Sequence, residues 1–142
     1  MTTVVKRFIS LYEQLDKNSI EQLSDVYHPD IVFQDPAHEI TGWHDFYRYF
    51  EGLMENLSFC HFNIQSHHQE NDEAFLVWEM TFEHPKISNG EPVVVSGSSH
   101  LKMFDERVIY HRDYFDMGQM LYEHLPVLSQ AIRWIKRRMR SE

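Results

Sequence analysis

Residues 92–116 run PVVVSGSSHLKMFDERVIYHRDYFD. Valines and aromatics recur at short spacing through two runs, 92–104 and 107–116, and Asp105-Glu106 separates them as a tight turn. That pattern predicts two antiparallel strands joined by a hairpin. Upstream, residues 59–68 and 74–83 alternate with the same period of two, linked by Gln69-Glu70-Asn71-Asp72-Glu73. A longer loop, His84 to Glu91, carries Pro85, Asn89 and Gly90. Consecutive strands with short connections imply an antiparallel meander.

Before residue 58 the period is helical. Val4, Phe8, Leu11 and Leu15 step by four, three and four, so one stripe of a first helix is buried. Lys17-Asn18 breaks it, and Ser19 with Gln22 suggests a capping box opening a second helix with Ile20, Leu23 and Tyr27. Pro29 stops that helix. Ile31 to Asp35 forms a short strand ended by Pro36. Thr41 is the expected N-cap of a third helix bearing Trp43, Phe46, Phe50, Leu53 and Leu57. Helices segregated from strands define an α+β fold, with three N-terminal helices covering one face of the sheet.

The 142 residues suit one domain. Cys60 is the single cysteine, which rules out an intrachain disulfide and fits a reducing compartment. The first residues lack an apolar leader and no stretch reaches the length of a membrane span, so the expected location is the cytoplasm. A net charge of −9 argues against nucleic acid as a partner. The charge is uneven: residues 131–142 carry +4 and residues 1–130 carry −13.

In a strand, residues two apart share a face. Asp35 therefore lies with Ile31 and Phe33, Glu79 with Phe75, Val77 and Thr81, and Asp113 with Ile109, His111 and Phe115. A carboxylate on an apolar face is costly unless it is paired, protonated or functional. Asp35, Glu79 and Asp113 are thus the acid/base candidates, and His111 and His100 are candidate proton shuttles. A structural alternative stands beside each: Asp35 before Pro36 also suits a turn cap, and Asp113 an ordinary ion pair. Because Trp78, Met80 and Phe82 make the opposite parity apolar as well, the outer face calls for a second copy of the chain. His67-His68 point to opposite faces, and neither a helical His-x-x-x-His pair nor a cysteine cluster is present, so no metal site is expected.

The run Tyr27-His28-Pro29-Asp30-Ile31-Val32-Phe33-Gln34-Asp35-Pro36, after the Asn18-Ser19 break, resembles the opening of the nuclear transport factor 2-like superfamily. That superfamily includes ketosteroid isomerase, SnoaL-type polyketide cyclases and limonene epoxide hydrolase. The resemblance implies a cone-shaped curved sheet around an apolar pocket, commonly in a dimer. It sets Asp35 at the isomerase's general base, and Leu11 and Ser99 at its oxyanion tyrosine and aspartate. Arg112-Asp113-Tyr114-Phe115-Asp116, followed by Leu125-Pro126, is similar to the end of limonene epoxide hydrolase, which implies a catalytic role for Asp113. The hydrolase's arginine and second aspartate fall on Glu79 and Thr81.

The resulting expectation is acid/base chemistry without a cofactor on a small, mostly apolar molecule; the alternative is a non-catalytic binding or scaffold domain. Phe33, Trp43, Phe46, Tyr47, Phe75, His100 and Phe115 would line the pocket. Residues 1–128 would form the pocket domain, and 129–142 a basic amphipathic helix. Its stripe, Leu128, Ile132, Ile135 and Met139, is expected to pack on the acidic body, on a membrane surface or on a partner protein.

Overall fold

The computed structural model describes residues 3–140. The elements are α1 (Thr3–Glu13), a 3-10 segment (Ile20–Asp25), β1 (Tyr27–Gln34), β2 (Glu39–Thr41), α2 (Trp43–Asn56), β3 (Phe59–Glu70), β4 (Glu73–Glu83), β5 (Val93–Phe104), β6 (Arg107–Phe115), α3 (Met117–Met120) and α4 (Pro126–Arg140). One open sheet of six strands runs in the order β2-β1-β6-β5-β4-β3. β3 to β6 form the antiparallel meander, while β1 lies parallel to β6, so the sheet is mixed.

α1 and α2 cover one face. From α1 the buried side chains are Val4, Val5, Phe8 and Tyr12; from α2 they are Phe46, Phe50 and Met54. They meet Ile31 and Phe33 of β1, Ala74, Leu76 and Trp78 of β4, Leu101 of β5 and Val108 of β6. Each large side chain withdrawn from water contributes roughly 1.5–3 kcal/mol. Cys60 belongs at the edge of this core; burial pushes its thiol up to about 12, which leaves it protonated and unreactive at neutral pH.

Local readings shift in four places. Tyr27 belongs to a strand rather than a second helix, and Pro29 sits where the β1–β6 register breaks between Tyr27 and Val32, a position that needs no ladder N–H. The Ser19 hydroxyl accepts from the Asp16 amide instead of capping a helix. Gly42, at φ 91°, is the N-cap of α2, because the chain must reverse out of β2, which itself contains Thr41. Val4 and Phe8 of α1 are buried as expected, as is Leu15 just beyond it, but the stripe widens to take in Val5 and Tyr12, so Tyr12 points inward and Leu11 is half-buried.

A candidate acid/base site around Asp113

The faces of β4 sort as alternation requires, with the opposite parity inward. Ala74, Leu76, Trp78 and Phe82 are buried, whereas Phe75 and Val77 are 47% and 46% exposed. Glu79 and Phe75 therefore stand on the outer face, and Trp78 lies inside rather than outside. His100 is also outward: its imidazole stacks on Phe75 and pairs with Glu73 at 2.8 Å. Tyr47 faces a different place, a groove of about 440 Å³ shared with Lys17, Ile20, Glu21, Glu51 and Met54. That groove and the others described, along α1 and the loop at Asp105, lie away from Asp113.

Asp113 and His111 are on the inner face of β6. Asp113 Oδ1 is 2.5 Å from His111 Nε2 and accepts from Ser99 Oγ at 2.5 Å. Trp78 Nε1 donates to Ser99 Oγ at 2.8 Å. Tryptophan can only donate, so the Ser99 hydroxyl is directed onward to Asp113. On the other side His111 Nδ1 is 2.7 Å from the Tyr27 hydroxyl, and Tyr27 is 2.6 Å from the Tyr12 hydroxyl. With Asp113 accepting, the network assigns the hydrogen of His111 to Nε2; Nδ1 then accepts from Tyr27, and Tyr27 from Tyr12. Burial raises both phenols well above the ordinary tyrosine range, so both stay protonated as this polarity needs. The Tyr27 and His111 rings are stacked within 4° of parallel, and Phe8 and Phe33 meet the imidazole edge-on.

One end of this chain is dry and the other is wet. The His111 side chain is 3% exposed and that of Asp113 is 19% exposed. Two donors converge on Oδ1, and none of the described hydrogen bonds falls on Oδ2.

Asp35 closes a turn. Its Oδ1 accepts the amides of Ala37 and His38 at 2.8 and 2.7 Å, and His38 Nδ1 lies 3.0 Å away. Its Oδ2 accepts from the Tyr49 hydroxyl at 3.1 Å. Burial, followed by the charges of Asp35 and Asp113, raises Tyr49 above the ordinary range. Tyr49 is thus hydrogen-bonded to Asp35 and lies within the field of Asp113.

Phe33 and Phe46 are buried in the aromatic wall, Trp43 packs on Tyr27 and Phe46, and Phe115 meets Trp78 at 6.3 Å between centroids. On β5, the residues opposite Phe115 and Asp113 are Gly97 and Ser99. These, rather than Glu79 and Thr81 one strand further and on the outer face, are the two inner-face positions beside Asp113. Gly97 exists for packing: a Cβ there would come within 2.4 Å of the Trp78 ring. Tyr12, Tyr27, Tyr49, Ser99 and Trp78 were absent from the sequence-based set. Ser99 alone carried a signal, its place at the isomerase's oxyanion aspartate in the resemblance; its inward parity with Leu101 on β5 is a second signal that could have found it.

The helices on one face of an open six-stranded mixed sheet define an α+β fold with an acid–imidazole pair on its covered face. The chain belongs to the SnoaL-like domain family, whose match spans residues 5–111. No curated protein matches it in sequence. Among solved structures it is similar to a protein of ketosteroid isomerase-like fold from Catenulispora acidiphila in complex with trimethylamine, at 15% identity over 89% of this chain and 95% of that one, TM-score 0.72. It is also similar to an LEH-like epoxide hydrolase from M. tuberculosis, at 14% identity over 82% and 83% of the two chains, TM-score 0.67. A third is TerC co-crystallized with polyporic acid, at 12% identity over 84% and 95%, TM-score 0.72. Likeness at these identities establishes the fold.

Proposed function

We propose that the protein carries out acid/base chemistry, without a cofactor, on a small and mostly apolar molecule held beside Asp113. The observation that carries this reading is the convergence of His111 and Ser99 on one oxygen of a partly exposed carboxylate within an aromatic wall. Oδ2 takes a proton from the bound molecule or from water. His111, held by Tyr27, keeps its Nε2 hydrogen on Oδ1 and so orients the carboxyl group, and Oδ2 returns the proton it took to the bound molecule at its new position. Asp35, through Tyr49, sets the field at the far side of the site. Glu79, Phe75 and His100 have no part in it, being outward. Phe75, Val77, Val94 and Tyr114, each close to half exposed, form the outer patch through which a homodimer would assemble; light scattering giving a monomer mass would remove that part of the reading.

A scaffold role is the second reading, favoured by the degree to which buried rings of Tyr12, Tyr27, Phe33, Phe46 and Phe50 fill the interior. The two are separated by incubating the protein with small apolar ketones in D2O and with small apolar epoxides in water. Mass spectrometry then reads proton exchange and ring opening. Catalysed turnover that falls by about 10²-fold or more in Asp113→Asn, at unchanged melting temperature, supports the enzyme. Turnover of neither class, or turnover that survives in Asp113→Asn, overturns it.

A further inference from the structure

α4 meets its own molecule with the wrong face for a core helix. Ser129 is its buried residue, Lys136 Nζ pairs with Glu123 at 2.9 Å, and Arg133 donates to the Glu123 carbonyl at 3.4 Å. The polar flank is therefore the docked one. At 100° per residue, Leu128, Ile132, Ile135 and Met139 fall within an arc of about 60°; Ile132, at its edge nearest the docked flank, is half-buried, and the rest of the arc is turned to solvent. Leu128, Ile135 and Met139 are 41%, 50% and 70% exposed. Trp134, 56% exposed, lies across the helix from the stripe, about 130° from its centre, with the Arg138 guanidinium over its ring at 5.6 Å. The helix holds five basic residues, Arg133, Lys136, Arg137, Arg138 and Arg140, and no acidic one. It also lies beyond residue 111, where the family match ends.

We propose that α4 seats the protein on an anionic membrane surface, with its apolar stripe at the acyl boundary and its arginines among the headgroup phosphates. Lys136 on one side and Arg138 on the other are the cations nearest the stripe, and an apolar stripe on an otherwise basic helix is the arrangement an interfacial helix uses. A second copy of the chain is a poorer occupant. Its outer sheet face mixes Lys102 and Arg112, over Tyr110 and Tyr114, with Glu73 and Glu79, whereas an anionic membrane offers this wholly basic helix negative charge alone. The acidic body does not forbid the approach. It stands behind a helix about 10 Å thick, beyond a Debye length of about 8 Å at physiological salt.

The test is co-sedimentation of the full chain with phosphatidylglycerol-containing vesicles and with pure phosphatidylcholine vesicles, at low and high salt. The comparison protein is the double variant Ile135→Asp, Met139→Asp, whose side chains are exposed and whose melting temperature should not change. The expected result is binding to the anionic vesicles only, weakened by salt and reduced about tenfold or more in the variant. Equal binding to both vesicle types, or to neither, overturns the proposal. So does a variant that binds like the wild type. A variant that instead halves the mass of the vesicle-free protein assigns the stripe to a second copy and overturns it equally.

Discussion

At the scale of single residues the site depends on close packing as much as on charge. Gly97 faces Trp78 across the β4–β5 ladder, and the indole fills the space a Cβ would need. Gly97→Ala should push Trp78 off Ser99, remove the donor that orients the Ser99 hydroxyl, and loosen Asp113. The expected cost is about 1–3 kcal/mol in urea unfolding, as for other overpacked cores, with a change in Trp78 fluorescence. A stability equal to that of the wild type would mean that the ring has room to move. His111 illustrates the same dependence. Its imidazole is almost fully buried, yet it is held at both nitrogens, so it stands in the core without an orphaned polar atom. Among the described residues every buried side-chain nitrogen and oxygen has a partner.

At the scale of elements, the β5–β6 hairpin is the piece that fixes the site, because it sets Ser99 opposite Asp113. Its turn is under local strain. Asp105 and Glu106 have φ of 51° and 61°, a left-handed pair of the kind that a two-residue hairpin with matched twist requires. Non-glycine residues adopt this conformation at a cost of roughly 1–2 kcal/mol each. Glu106→Gly should therefore raise the urea midpoint and stabilise the fold by about 0.5–1 kcal/mol, even though glycine widens the unfolded ensemble. The only polar contact described at Glu106 is through its carbonyl, with Arg7, and a glycine keeps that carbonyl. A lowered midpoint would show that the carboxylate itself supports the turn.

For the molecule as a whole, the buried phenols tie stability to alkaline pH. The folded pKa values of Tyr12, Tyr27 and Tyr49 are raised above 10.0, chiefly by burial. A raised folded value means that the protonated fold is favoured: the contribution is complete below about pH 10, where the unfolded phenols are also neutral, and is lost as the pH climbs above it. Of the seven tyrosines, these three should be missing from the first phenolate absorbance step and should ionise only as the protein unfolds. Tyr12→Phe should shift the alkaline unfolding midpoint upward relative to its own neutral-pH stability. A single smooth step for all seven phenols would contradict the burial of this chain.

By itself the sequence determined the fold class, the helical and strand periods, the existence and order of α2 and of the four-stranded meander, and the inward placement of His111 and Asp113. These follow from short-range alternation, which a linear chain displays directly. It also showed α4 and its basic face. Three things were decided only in three dimensions. Which parity of β4 faces inward was ambiguous, because Phe75 and Val77 are as apolar as Trp78 and Met80; the helices settle it by covering the Trp78 side. Helical spacing put Leu11 on the buried stripe and turned Tyr12 away from it, whereas in the fold Tyr12 is buried with its hydroxyl on that of Tyr27. The relay from Tyr12 through Tyr27 and His111 to Asp113 joins residues up to a hundred positions apart, from α1, β1 and β6. No spacing rule encodes it, because hydrogen bonds across elements are set by how the helices seat on the sheet and not by the order of the residues.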